Sequence, residues 1–166
     1  MASFSEHLKQ AEHNLDFLKS ISKDYSEYWD WRVTTTFYTA VHIINAHLDK
    51  SVNKHYRSHQ DVSLALNPNI ALSISKVPMD VYLAYEKLSN LSRRSRYLIK
   101  EDLTDKTANV FITYDKHLAR ALKNLDTIES WFSSEYKITF PAIELHCLEL
   151  KSGLKYFSQQ TTTTTI

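Results

Sequence analysis

The sequence predicts a single all-α domain. One glycine and three prolines occur in 166 residues, 43% of the residues are hydrophobic, and apolar residues recur at spacings of three and four. Scarce glycine disfavours hairpin-rich β folds, whereas the recurring apolar residues are the pattern of amphipathic helices. A chain of this length builds one hydrophobic core and leaves little room for a second domain.

Two long helices are predicted in the first fifty residues. The first begins after Ser3, which forms a capping-box pattern with Glu6. Its apolar stripe is Phe4, Leu8, Ala11, Leu15, Leu18 and Ile21. The second covers residues 29–48 and is apolar enough to be the central helix. Its buried face is expected to hold Val33, Phe37, Ala40, Val41, Ile44 and Leu48.

Three further helices are expected before residue 135. Residues 49–56 predict an exposed connection to a short helix over 58–66. Pro78 suits the first turn of a fourth helix that continues towards Tyr97. Residues 98–113 have no clean period and predict a loop, and residues 114–132 predict a fifth helix. One shared core is expected from Phe37, Val41, Ile44, Leu88, Leu91, Leu118, Leu122 and Leu125.

The end of the chain gives a weaker pattern. Residues 1–135 form the predicted bundle, and residues 136–158 form an extension. Within this extension apolar residues at 143, 147, 150 and 154 fit a short helix beginning at Pro141, although residues 137–140 fit an extended segment equally well. Residues 159–166 contain five consecutive threonines and predict a flexible tail.

Charge and cysteine content exclude several classes of protein. The formal charge is +1, so no global charge attracts the chain to nucleic acid or to an anionic membrane, and any basic surface must be local. The single cysteine, Cys147, forms no internal disulfide, and the first ten residues lack the apolar region of a secretory signal. No apolar run is long enough to span a bilayer. A cytoplasmic location, with no membrane partner, is expected.

A polar stripe lies on the second predicted helix. Thr35, Tyr38, His42 and Asn45 share one side of it. His42 is either a core histidine bonded to a neighbouring helix or a cleft residue available for proton transfer or ligand contact.

Basic residues form two further candidate clusters. Arg93, Arg94, Arg96 and Lys100 surround Tyr97 near the end of the fourth helix, where they stabilise the helix end or bind an anion, or pair with Glu101, Asp102 and Asp105. Lys54, His55, Arg57 and His59, with Tyr56 between them, form either a solvated loop or a surface for single-stranded nucleic acid.

No metal or cofactor site is expected. The histidines include no H-E-x-x-H pair, one cysteine cannot build a thiolate zinc site, and Gly153 alone cannot make a glycine-rich phosphate loop. His7 and His13 are expected on the solvated side of the first helix.

Four sequence elements together resemble the HEPN family. They are Trp31, the segment FYTAVH at 37–42, the pair Ser58 and His59, and the segment YEKLSNLSRRSRY at 85–97. The resemblance covers residues 8–132. It implies an up-and-down bundle of four to five helices, commonly a homodimer, in a superfamily of metal-independent ribonucleases, toxins of toxin–antitoxin pairs and non-catalytic binding proteins. The nuclease members carry an arginine followed, after four to six residues, by a histidine, and this chain lacks that motif.

Three functions are therefore compared. The first is a non-catalytic HEPN-like module that binds RNA, a nucleotide or an antitoxin-type protein partner through Tyr38, His42, His59, Arg93, Arg96 and Tyr97. The second is a divergent metal-independent ribonuclease with His42 and His59 as general base and acid. The third is a helical dimerisation protein with Tyr25, Tyr28 and Trp29 at its interface. We expect the six residues of the first hypothesis to converge.

Overall fold

Five helices make up most of the chain. The computed structural model describes residues 2–56, 58–97 and 114–160. Its elements are α1 (Phe4–Asp24), α2 (Trp29–Val52), α3 (His59–Leu66), α4 (Met79–Tyr97), α5 (Tyr114–Tyr136), β1 (Ile143–Leu145) and β2 (Phe157–Gln159). The predicted all-α class is confirmed. None of these described helices is long and apolar enough to cross a membrane.

The start of α1 follows the predicted capping box. The backbone N–H of Glu6 donates to Ser3 Oγ at 3.4 Å, and the backbone N–H of Ser3 donates to the Glu6 carboxylate at 2.7 Å. The next backbone N–H, of Phe4, donates to Asp49 Oδ2 of α2 at 2.8 Å. Because Asp49 satisfies a donor that the first turn of α1 leaves unpaired, it fixes the start of α1 against the end of α2.

Helix α2 is the centre of the bundle. It packs on α1, α4 and α5, whereas α3 packs on α4. The eight residues predicted to share one core all belong to a single buried cluster, and no side chain among them is more than 8% exposed. They are Phe37, Val41, Ile44, Leu88, Leu91, Leu118, Leu122 and Leu125. The predicted core is therefore confirmed. The polar stripe of α2 and the basic residues near the end of α4 lie on helices that pack directly on each other.

The short helix predicted in the C-terminal extension is wrong. Residues 143–145 and 157–159 instead form a two-stranded parallel sheet, in which Ile143 pairs with Phe157. Ile143, Leu145 and Cys147 are buried in alternation, so the apolar residues follow a period of two rather than of 3.6. The sheet packs on α1.

Two predicted boundaries also differ. Helix α2 continues to Val52 and ends at Asn53, whose φ of 52° is left-handed, so the predicted loop over 49–56 is shorter. The flexible tail predicted from residue 159 is wrong at its first residue, because Gln159 belongs to β2 and its side-chain Oε1 accepts from the backbone N–H of Cys147 at 3.0 Å. The rest of that tail, 161–166, and the loop predicted over 98–113 lie outside the described residues.

Candidate functional site

One arginine lies between two tyrosine rings where α2 and α4 pack together. The Arg96 guanidinium carbon is 5.7 Å from the ring centroid of Tyr38 and 5.2 Å from that of Tyr97. Arg96 Nη1 also donates to Tyr38 Oη at 3.4 Å. Both tyrosines are exposed, by 37% for Tyr38 and 64% for Tyr97. The three side chains form one accessible surface that combines a positive charge with two aromatic faces.

The two helices fix this surface from below. Tyr38 follows Phe37, which is fully buried and anchors that turn of α2 in the core. On α4, Arg96 Nε donates to the carbonyl of Ser92 at 3.3 Å, one turn earlier on the same helix. The guanidinium is thereby oriented by its own helix, and the tyrosine hydroxyl of α2 only completes its contacts.

His59 extends the surface from the start of α3. Ser58 caps this helix by accepting from the backbone N–H of Asp61 at 3.1 Å, which places His59 in the first turn. The imidazole centroid lies 4.9 Å from the ring of Phe37 and 6.4 Å from the ring of Tyr38. We call Tyr38, His59, Arg96 and Tyr97 the Tyr–Arg cluster.

His59 is a neutral imidazole near pH 7. Burial, and then the positive charge of Arg96, lower the pKa of His59 below its ordinary value. Its Nδ1 lies 3.5 Å from the hydroxyl of Tyr85, and burial raises the pKa of that tyrosine. A protonated Tyr85 hydroxyl donates to Nδ1, so we assign the imidazole proton to Nε2. His59 therefore contributes an uncharged polar edge to the cluster.

Arg93 belongs to the same side of α4 but not to the packed cluster. It is exposed, and no hydrogen bond or ring contact joins it to the Tyr–Arg cluster within the described chain. Because it precedes Arg96 by three residues and Tyr97 by four, it is their neighbour on the helix surface. It adds charge beside the cluster without taking part in its geometry.

His42 joins a different group of side chains. Its Nδ1 lies 3.1 Å from Nδ1 of His7 on α1, and Nε2 of His7 lies 3.3 Å from Nδ1 of His55. We call these three residues the histidine chain. The convergence expected for all six site residues is thus observed only in part: Tyr38, His59, Arg96 and Tyr97 meet, whereas His42 is bonded to α1.

Burial controls the protonation of the histidine chain. It lowers the pKa of His42 to about 4, with the neighbouring His7 and His55 as the smaller causes, and it also lowers the pKa of His7. The position expected for His7 is wrong, because its side chain is 3% exposed rather than solvated. In a neutral imidazole one ring nitrogen donates a hydrogen bond and the other accepts one. His7 therefore donates to one of its two neighbours, His42 or His55, and accepts from the other.

The histidine chain is not arranged as a metal site. His7 directs its two ring nitrogens at two different partners, so the three imidazoles do not converge on one point. No group of three histidine, cysteine, aspartate or glutamate side chains in the described ranges has a geometry that could hold a metal ion. The basic residues predicted to act together over 54–59 do not form one group. His55 contacts α1 and His59 contacts α2, and Arg57 lies outside the described residues.

Sequence reasoning missed a buried arginine. Arg32, in the first turn of α2, is 1% exposed. Its Nε donates to Ser22 Oγ at 3.1 Å, its Nη1 donates to the carbonyl of Ser26 at 3.0 Å, and its Nη2 donates to the carbonyl of His146. An arginine before a strongly apolar helix gives no sequence signal for this role, because its partners include backbone carbonyls and one lies 114 residues away.

Sequence reasoning also missed a basic cleft between α4 and α5. It has a volume of about 410 Å³ and is lined by Lys87, Asn90, Leu91, Arg94, Arg120, Lys123 and Asn124. The signal that was available is the spacing of cations on each helix, with seven residues from Lys87 to Arg94 and three from Arg120 to Lys123. Only the packing of α4 on α5 brings the two sets together.

Comparison of the chain with models of protein families, with curated proteins and with solved structures found no match.

Proposed function

We propose that this protein is a HEPN-like binding module without catalytic activity, and that it binds single-stranded RNA at the Tyr–Arg cluster. The observation that carries the proposal is the partly buried arginine that contacts two exposed tyrosine rings. Bases of single-stranded RNA stack on aromatic rings and on guanidinium planes, and arginine binds their phosphates. The cluster offers both contacts on one surface.

The charge on this surface is well suited to an anion. Arg96 contacts the hydroxyl and ring of Tyr38 and the ring of Tyr97, and the described residues provide no carboxylate partner for it. A guanidinium on an aromatic ring keeps hydrogen-bond donors for a phosphate while the ring holds its plane. Arg93 adds a second cation one turn earlier. His59 remains uncharged and so supplies hydrogen bonding without repelling Arg96.

The HEPN resemblance supports the same assignment. Its Ser58–His59 pair and the closing Arg96–Tyr97 pair supply three of the four residues of the cluster, and Tyr38 belongs to the segment FYTAVH. Motifs far apart in sequence therefore meet at one surface. The missing arginine–histidine motif favours a binding member of such a family over a nuclease. Self-association and a cytoplasmic location are parts of the same proposal.

The ribonuclease alternative is less well supported. It requires His42 and His59 to act together on one ribose and its phosphate. His59 contacts the Tyr–Arg cluster, whereas His42 is bonded to His7, and a pKa of about 4 makes His42 a weak base at neutral pH. RNA cleavage by the purified protein that is lost in His42→Ala would revive this alternative.

Fluorescence anisotropy with a labelled oligouridylate tests the binding proposal. We expect Arg96→Gln and Tyr97→Ala each to weaken binding by roughly tenfold, because one stacked base or one charged contact contributes about 1–3 kcal/mol. Leu72→Ala is the control, since Leu72 is 89% exposed on the loop after α3. Equal affinity of all three variants and the wild-type protein would refute the assignment of the site.

A further inference from the structure

The cleft between α4 and α5 concentrates positive charge outside the Tyr–Arg cluster. Lys87 and Arg94 face it from α4, Arg120 and Lys123 face it from α5, and the amides of Asn90 and Asn124 complete its polar lining. No carboxylate lines this cleft. Lys87, Arg120 and Lys123 bring positive charge together from two helices, an arrangement that an anion bound between them would stabilise.

A second cleft continues the first. It has a volume of about 640 Å³ and shares Arg120 and Lys123 with the first cleft. It adds Lys116 of α5 and Lys151 of the loop after β1, against the single carboxylate of Glu149. The two clefts adjoin at Arg120 and Lys123, and we call them together the groove. It presents six basic side chains against one carboxylate.

Three of the six cations of the two clefts have no side-chain partner among the described residues. The side chains of Lys87, Arg120 and Lys123 have no hydrogen bond or ion pair to any described residue. The hydrogen bonds of Arg120 and Lys123 to other side chains involve only their backbone carbonyls, which accept from Asn124 and Thr127. Their charged side chains line the groove. A polar, positively charged groove of this size suits a phosphate-bearing ligand.

The geometry of α4 connects the groove with the Tyr–Arg cluster. At about 100° per residue, Arg96 lies roughly 200° around the helix from Arg94, so the two arginines face opposite sides of α4. Arg93 and Tyr97 fall on the arc between them, and both are exposed. A ligand strand that runs from the Tyr–Arg cluster over Arg93 and Tyr97 reaches Arg94 and the groove. The last described turn of α4 places no carboxylate on this path.

We propose that the groove between α4 and α5 binds the phosphodiester backbone of the same single-stranded RNA whose bases stack at the Tyr–Arg cluster. This inference rests on the proposed function and extends the RNA-binding surface to Lys87, Arg94, Arg120 and Lys123. Arg96 then contacts a phosphate next to the stacked bases, and the groove on the other side of α4 contacts phosphates further along the strand. Binding in the groove is independent of the RNA sequence, because phosphates are the same at every nucleotide.

Two RNA probes separate the two surfaces. A labelled oligouridylate of about twelve nucleotides is long enough for both, whereas a uridine dinucleotide reaches only the Tyr–Arg cluster. We expect the double variant Arg120→Gln/Lys123→Gln to weaken binding of the longer probe about tenfold and to leave the dinucleotide unaffected. The slope of log K against log salt should become shallower by about 1.4, which corresponds to two lost phosphate contacts on single-stranded RNA.

The control variant is Lys9→Gln/Lys19→Gln, which removes the same charge from the exposed side of α1. Unchanged affinity and salt slope in Arg120→Gln/Lys123→Gln, with weaker binding in Tyr97→Ala, would overturn the groove alone. The same would follow if both double variants weakened binding equally. Weaker binding in the groove variant but not in Tyr97→Ala would support the groove and overturn the function of the Tyr–Arg cluster. A wild-type protein that binds neither probe would overturn both.

Discussion

His42 illustrates how burial decides what one residue can do. The side chain is part of the polar stripe on α2, and its ring nitrogen is hydrogen-bonded to His7 rather than free for a ligand. Its folded pKa of about 4 lies well below the ordinary value of 6.5. The unfolded chain therefore binds a proton at this residue between pH 6.5 and 4 that the folded protein does not bind.

This difference predicts acid sensitivity. The stability that neutral His42 provides is complete above pH 6.5 and is lost as the pH falls towards 4. After discounting for partial solvent exposure, we expect a contribution on the order of 1 kcal/mol. His42→Gln retains a hydrogen-bonding group but does not titrate, so urea unfolding at pH 7 and pH 5 should show a smaller loss than in the wild-type protein. His13→Gln, on the exposed side of α1, should lose as much stability as the wild-type protein.

Glu129 predicts the opposite dependence on pH. It is fully buried, and neither carboxylate oxygen has a hydrogen-bond partner among the described residues. Burial raises its pKa well above 4.5, so its contribution to stability is present below pH 4.5 and lost as the pH rises through the folded pKa. Glu129→Gln should therefore raise Tm at pH 8 and change it little at pH 4. An equal Tm for both proteins at pH 8 would contradict this account of Glu129.

At the scale of elements, Arg32 connects parts of the chain that are distant in sequence. Its guanidinium binds Ser22 at the end of α1, Ser26 in the α1–α2 turn and His146 after β1. Removing a buried charge partner leaves several polar groups unpaired, so Arg32→Met should lower the free energy of unfolding by about 2–4 kcal/mol. Arg32→Lys should recover only part of this loss, because one ammonium cannot reach three separated partners. A urea midpoint unchanged in Arg32→Met would show that this connection is unimportant.

The helices were predictable from sequence because their cause is local. The stripes of α1, α2, α4 and α5 and the cap at Ser3 are each contained within one segment, and the structure confirms them. The extension was not predictable, because residues 143 and 147 suit both a helix and a strand. The choice depends on distant partners: the backbone N–H of Ile143 donates to the carbonyl of Tyr156, and that of Tyr156 donates to Asp126 of α5.

The candidate site was predictable only in part for the same reason. Periodicity identifies the polar stripes of α2 and α4, but it does not tell which stripe members meet. Tyr38 meets Arg96, as expected, while His42 one turn later turns to His7, because α1 covers that part of α2. The position of His7 was mispredicted because a histidine beside charged neighbours looks solvated until the packing of α1 is known.

For the whole molecule, exposed aromatic residues predict self-association. Phe17, Tyr25, Tyr28 and Trp31 lie on α1, the α1–α2 turn and the first turn of α2, and each is 48–58% exposed. Aromatic residues on one surface are enriched at protein interfaces. Trp29, which was expected there, is instead partly buried against the core and contacts His117 of α5.

Analytical ultracentrifugation tests self-association directly, because it measures the mass of the sedimenting species. We expect the wild-type protein to sediment as a dimer at high concentration and Tyr28→Ser/Trp31→Ser to sediment as the 19.4 kDa monomer. Leu72→Ser is the control, since Leu72 is 89% exposed on the loop after α3. A wild-type protein that stays monomeric at every concentration would exclude this interface.

The central claim is that RNA bases lie on the tyrosines of the Tyr–Arg cluster, and photochemical crosslinking tests it most directly. An oligonucleotide containing thiouridine would be irradiated in complex with the wild-type protein, and the modified residue would be identified by mass spectrometry. We expect adducts on Tyr38 or Tyr97, which Arg96→Gln should reduce because the arginine binds the phosphates of the strand whose bases lie on the rings. Adducts confined to residues of α1 or of the extension after α5, with none on Tyr38 or Tyr97, would contradict it.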